Sequence, residues 1–182
     1  MAREACRILL TGQPGCGKTT AVMQVCARLK GIRIAGFYTE EIRRGKTRTG
    51  FGWKRFDGAE GILAAVDIRS KFRVGRYGVD VAGFERDVVP VLNSRRDDVD
   101  LFVIDEIGKM ECLSKGFIEA AKRLLKGNRA VLATIALKGA GFINEVKKTP
   151  GVELMTMTVR DRDSVVRQVL EKLLPLKKER CC

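Results

Sequence analysis

The sequence predicts an α/β domain in which a mostly parallel sheet is covered by helices on both faces and carries an inserted antiparallel hairpin region. Three observations lead there. Short apolar runs that read as buried strands alternate with stretches amphipathic at helical spacing; a glycine-rich loop joins the first strand to the first helix; and a charged middle segment interrupts the alternation with strand-like runs around glycines. With 182 residues and 45% apolar content, the chain fits a single domain over 1–182 with a full core, residues 174–182 reading as a flexible basic tail. It has no internal repeat, low-complexity segment or linker.

The run CRILLT (6–11) is short, apolar and bounded by Gly12, which predicts a buried strand. From Gly17 to Lys30, Val22, Val25, Cys26 and Leu29 recur at helical spacing, and Gly31 closes that helix as a C-cap residue would. IRIAGFYT (32–39) and FGWKRFD (51–57) flank the charged, glycine-bearing EEIRRGKTRTG, predicting an antiparallel hairpin with a mobile connection; Trp53 belongs in the core or at the hairpin base. GILAAVD (61–67) is a further short strand. Residues 81–93 predict a helix with Phe84, Val88, Val91 and Leu92 inward, bent or frayed at Pro90. DLFVIDEIG (100–108) is an apolar strand ending in two acids, and Ser114 is the expected N-cap of a helix reaching Lys126. AVLATIAL (130–137) and VELMTMTV (152–159) predict buried strands, and DSVVRQVLEKLL (163–174) the closing helix.

No run of about 18 apolar residues is present to span a bilayer, and MAREACRILLTG lacks the apolar region and cleavage site of a secretory signal. A cytoplasmic location without membrane attachment is expected. Six cysteines without a C-x-x-C pair, together with the absence of His, argue against a zinc site, and a chain of this length needs no disulfide framework. Cys6, Cys16 and Cys26 read as small buried hydrophobes, and Cys181 and Cys182 as part of the tail. Three Asn and three Gln against 31% charged residues is the balance reported for proteins of hot environments, and a thermophilic source is expected. The formal charge of +13 attracts polyanions, nucleotide and nucleic acid alike, through the summed field; weak nucleic-acid binding is expected from it, and no protein partner can be read.

Gly12, Gln13, Pro14, Gly15, Cys16, Gly17, Lys18 and Thr19 match G-x-x-x-x-G-K-[ST] between a predicted strand and a predicted helix. Glycines let the backbone curl so that successive N–H groups face inward, and the helix adds its positive end at the same point. Nucleoside triphosphate phosphates are the expected ligand. Lys18 supplies a point charge for the β- and γ-phosphates, and the Thr19 hydroxyl reaches Mg²⁺.

Asp105 and Glu106 follow LFVI, so their carboxylates stand at the carboxyl end of a core strand. In a parallel sheet that edge also carries the glycine loop. Asp105 is expected to order Mg²⁺ together with Thr19, and Glu106 to act as base toward water in line with the γ-phosphate. Thr134 is either a polar sensor of the γ-phosphate or an ordinary strand threonine.

VIDEIGKMEC (103–112), GFYTEEIRRGKTRTGF (36–51) and VGRYGVD (74–80) resemble the nucleoside-triphosphatase family first described in thermophiles, whose human relative is called cancer-related nucleoside-triphosphatase. The resemblance runs from GQPGCGKTT to VRDRDSV. It implies a RecA-like P-loop NTPase fold and Mg²⁺-dependent, slow, base-tolerant hydrolysis of NTPs to NDP and phosphate. Carried over, it assigns phosphates to Gly15, Gly17, Lys18 and Thr19, with Thr20 beside them at the helix start, Mg²⁺ to Thr19 and Asp105, and water activation to Glu106. Lys109 and Glu111 lie in the matching motif without an evident role. Where the family pattern has NRD-like residues, this chain has Arg160, Asp161, Arg162 and Asp163; Arg160 or Arg162 stacks on or bonds the base, or the run is a solvated one. Arg43, Arg44, Lys46 and Arg48 either close over the triphosphate or form a plain solvated hairpin.

The expected function is hydrolysis of ATP, GTP, CTP and UTP. Two alternatives stand beside it: a kinase passing the γ-phosphoryl to a nucleoside, nucleotide or RNA end, and a nucleotide-dependent RNA-binding module suggested by the basic charge.

Overall fold

The computed structural model describes residues 5–94 and 98–176. The parallel strands are β1 (Arg7–Gly12), β2 (Ile34–Arg44), β7 (Leu101–Ile107), β8 (Val131–Ala136) and β9 (Glu153–Thr156). Four antiparallel strands, β3 (Thr47–Arg55), β4 (Glu60–Ala65), β5 (Arg73–Val74) and β6 (Tyr77–Val79), extend the same sheet beyond β2. The order is β5-β6-β4-β3-β2-β7-β8-β1-β9. The inserted region is therefore the outer half of one sheet.

Alternation along the central strands sends side chains to two cores. Ile8, Leu10, Leu101, Val103 and Leu132 pack with Ala21, Val22 and Val25 of α1 (Lys18–Arg28) and with Val165, Val166 and Val169 of α6 (Arg162–Leu173). Leu9, Phe37, Phe102, Ile104, Val131 and Ala133 point to the other face. There they meet α2 (Val81–Asp87), α3 (Val89–Leu92), α4 (Lys115–Lys126) and α5 (Phe142–Val146). Phe37, Phe84 and Phe117 interlock there, with ring centroids 5.3 to 6.1 Å apart. Each of these rings buries area worth about 1.5–3 kcal/mol of transfer free energy. The expected Ser114 cap is present, its Oγ accepting from the Phe117 amide at 2.9 Å.

Several expectations are corrected. The connection in EEIRRGKTRTG is no mobile loop: pairing continues to Arg44 opposite Thr47, and Gly45, with φ +58, turns the chain. Glu41 bridges Arg43 and Arg48 on that hairpin, which offsets the charge crowding beside the turn. The helix expected over 81–93 is two short helices, because Pro90 has no N–H to continue the first ladder and sits instead in the opening turn of α3. Residues 152–159 hold a shorter strand than expected, and as the edge of the sheet it is largely exposed rather than buried. Gly31 lies beyond the end of α1, where its φ of +82 serves the turn into β2, and Leu29 is the C-cap. Of the tail expected at 174–182, residues 174–176 continue α6 as a tight turn with Leu176 against the core; the remainder, including Cys181 and Cys182, lies outside the described residues. The short elements β5, β6 and α5 carry too few residues for any periodicity to show.

Candidate active site

The loop between β1 and α1 is shaped by glycines at three positions. Gly15 and Gly17 take φ +78 and +90, conformations that L side chains rarely adopt. A Cβ at Gly12 would overlap the Met157 carbonyl oxygen and stand 2.8 Å from Cys16 Sγ. Cys16 is buried and packs beneath the loop, while Gln13, Pro14 and Gly15 are exposed at its rim. The α1 N-terminus thus opens onto solvent with its first amides free of side-chain caps.

Lys18 and the strand-end acids converge on this loop. The Lys18 side chain is largely buried; its Nζ donates to the Gly12 carbonyl at 3.2 Å and stands 3.8 Å from Glu106 Oε2. Asp105 is 1% exposed. Its Oδ1 accepts from Thr134 Oγ1 at 2.5 Å and its Oδ2 from the Thr39 amide at 3.4 Å, and the Thr19 hydroxyl is near enough to favour its charged form. Burial pushes the Asp105 pKa up, and Thr134, Thr19, the Thr39 amide and Lys18 pull against it. Burial likewise raises Glu106, with Lys18 lowering it and Asp105 adding to the rise.

A buried carboxylate facing hydroxyl oxygens suits a hard cation held by few protein ligands. Mg²⁺ takes one or two side chains and completes its shell with water and substrate phosphates, so the donor set of Thr19 and Asp105 fits it. Among the described residues no group of three or more His, Cys, Asp or Glu forms an all-protein cage.

Lys18, Thr19 and Glu106 open on a cavity of about 770 Å³ between the glycine loop and the hairpin insertion, with Asp105 buried behind its wall. Gly12, Gln13, Pro14, Gly15, Gly17, Lys18, Thr19, Thr20 and Glu106 line it, as do Lys109 and Glu111. Of the four hairpin cations, Arg48 is the one on its wall. Its Nε donates to the Tyr77 hydroxyl at 3.1 Å, its Nη1 meets Glu41 at 2.7 Å, and the guanidinium lies 4.9 Å from the Phe51 ring centre.

Two residues singled out in the sequence have definite places here. Thr134 is fully buried and bonded to Asp105, so it faces the acid rather than the cavity. Arg160 is exposed in the turn before α6, and Arg162 is packed against the loop, its Cδ and Nη1 each 3.2 Å from where a Gly17 Cβ would stand; neither is on the cavity wall. Thr39 is a site residue that sequence reasoning missed, although it lies in the GFYTEE segment. Its contribution comes through its backbone amide, which leaves no mark on the residue type.

The NTPase family model matches residues 7–170. Nucleoside-triphosphatase THEP1 of Thermotoga maritima is 38% identical over 167 residues, covering 92% of this chain and 95% of that one. The human cancer-related nucleoside-triphosphatase is 35% identical over 185 residues, covering 93% and 96%. The crystal structure of THEP1 from the hyperthermophile Aquifex aeolicus superposes with a TM-score of 0.83 at 36% identity, covering 92% of this chain and 98% of that one.

Proposed function

This chain belongs to the NTPase family and is a nucleoside-triphosphatase, and we propose that it hydrolyses NTPs to NDP and phosphate in a Mg²⁺-dependent reaction with little regard to the base. The observation that carries this reading is the meeting of Lys18 and Glu106 beside the glycine loop on the wall of one cavity, with Asp105 buried next to them in the same strand.

In this reading the loop amides and the α1 N-terminus hold the triphosphate, and Lys18 moves its charge from the Gly12 carbonyl and Glu106 onto the β- and γ-oxygens. Bound Mg²⁺ would add charge neutralisation across those oxygens, with Thr19 and Asp105 as its protein ligands. Glu106 keeps an exposed face toward the cavity, so its carboxylate can take a proton from water. The water oxygen forms a bond to the γ-phosphorus as the bond to the β,γ-bridging oxygen breaks, and NDP leaves. Arg48, fixed by Glu41 and Tyr77, supplies positive charge from the opposite wall. No helix among the described residues is long and apolar enough to cross a membrane, and the charge of +13 favours weak, salt-sensitive contact with nucleic acid.

The test is E106Q. It keeps size and hydrogen bonding but loses the base, so turnover falls about 10²- to 10⁴-fold while nucleotide still binds. A variant that hydrolyses ATP at the wild-type rate sinks the reading. Retained transfer to an added hydroxyl acceptor would favour a kinase.

A further inference from the structure

Glu111 lines the cavity beside Glu106, yet the hydrolytic scheme leaves it nothing to do. It sits in a 3₁₀ turn (Glu111–Leu113) reached from the end of β7 through Gly108, Lys109 and Met110. Glutamate at the opening of such a turn belongs in water; this one is 5% exposed. Its side chain folds back toward the strand instead.

Gly108 marks where it goes. A Cβ on that glycine would lie 2.7 Å from Glu111 Oε2 and 3.2 Å from Glu106 Oε1, so the two carboxyls flank one residue. The Gly108 and Glu111 amides lie close enough to the Glu111 carboxyl to favour its charged form against burial, and the Cys112 amide closes the turn on the Gly108 carbonyl at 3.1 Å. The Glu111 carboxyl thus lies back against the chain leaving Glu106.

Charge permits the arrangement. Burial, with Glu106 and Asp105 adding to it, pushes the Glu111 pKa up to about 8, so at neutral pH the side chain is an uncharged acid. An uncharged carboxyl can stand beside Glu106 without repelling it.

We propose that Glu111 is a positioning residue for Glu106: wedged beside Gly108, its carboxyl fixes the path of the chain from Glu106 into the 3₁₀ turn, and so the direction in which the Glu106 carboxylate faces the cavity. Glu111 acts on the reaction through Glu106 and touches no substrate. The proposal rests on Glu106 being the acceptor of the water proton.

The experiment measures kcat and ATP affinity for E111A, E111Q, E111D, E106Q and the double variant E106Q/E111A. E111A is expected to lower kcat roughly 10²-fold, the usual cost of a reacting group displaced by about 1 Å, while ATP affinity stays within about 3-fold. E111Q, uncharged and of the same size, keeps turnover within about 5-fold of wild type. E111D, which withdraws the carboxyl by one methylene, behaves as E111A and serves if E111A does not fold. The double variant is no slower than E106Q, because the two residues act as one unit.

E111A or E111D at wild-type turnover overturns the proposal. So does an E111Q as slow as E111A, which would make the carboxylate itself reactive, and so does a double variant slower than E106Q by the full E111A factor. A parallel loss of ATP affinity would reduce Glu111 to support of the fold. E106Q turning over at the wild-type rate removes the underlying reading and this proposal together, whereas a slow E106Q beside an unaffected E111A removes this proposal alone.

Discussion

Thr134 Oγ1 donates to Asp105 Oδ1 at 2.5 Å, joining two side chains that are each almost fully enclosed in the sheet. The bond aims the second carboxylate oxygen at the Thr39 amide and keeps Thr19 within reach. T134V removes the donor at nearly constant volume and leaves a buried oxygen unpaired, costing about 1–3 kcal/mol of stability. It should also raise the Mg²⁺ concentration for half-maximal turnover by about 10-fold, as expected when a ligand loses its outer partner. A Mg²⁺ titration indistinguishable from wild type would detach Asp105 from the metal.

Lys18 stands between the Gly12 carbonyl and Glu106, positioned to exchange both for phosphate oxygens. K18A should abolish detectable turnover and weaken triphosphate binding, since one point charge serves both ground and transition states. Wild-type thermal stabilisation by ATP in K18A, read as the shift in Tm, would contradict that role.

Base discrimination should be weak, because the groups gathered at the loop face phosphates that all NTPs share. ATP, GTP, CTP and UTP should have kcat/KM values within ~10-fold of one another, about 1.4 kcal/mol between best and worst. A preference of roughly three orders of magnitude would show that the base edge is read, with Arg162, packed against Gly17, the first residue to examine.

Glu111 gives the protein a pH dependence with a definite sign. Its folded pKa of about 8 lies above the ordinary value of 4.5, so between these values the folded state holds a proton that the unfolded state has released. Stability therefore falls as pH rises through that window, and the loss is complete above about pH 8. E111Q cannot ionise. The Tm of E111Q minus that of wild type, measured without nucleotide, should grow from pH 5 to about pH 8 and then level off. A difference that stays flat across the window would show that Glu111 does not hold its proton on folding.

What the sequence by itself determined is local in the chain. A strand, a glycine loop and a helix are contiguous from Arg7 to Arg28, and two acids end an apolar strand at Asp105 and Glu106, so periodicity and spacing suffice to read them. The α/β class follows from the same periods. The tertiary structure decided what depends on partners far along the chain: that Thr134 faces Asp105, 29 residues away; that Arg162 rather than Arg160 rests on the loop; and that the hairpin stays paired, through a register shift at Ile42 and Arg43, to a tight turn, with Glu41 holding Arg43 and Arg48. It also decided that 152–159 holds an exposed edge strand, because its neighbours in the sheet, and not its own apolar residues, set its burial. Glu111 is the clearest case. Its residue type predicts a solvated charge, and only the fold of the Gly108 turn around it makes a buried, protonated acid.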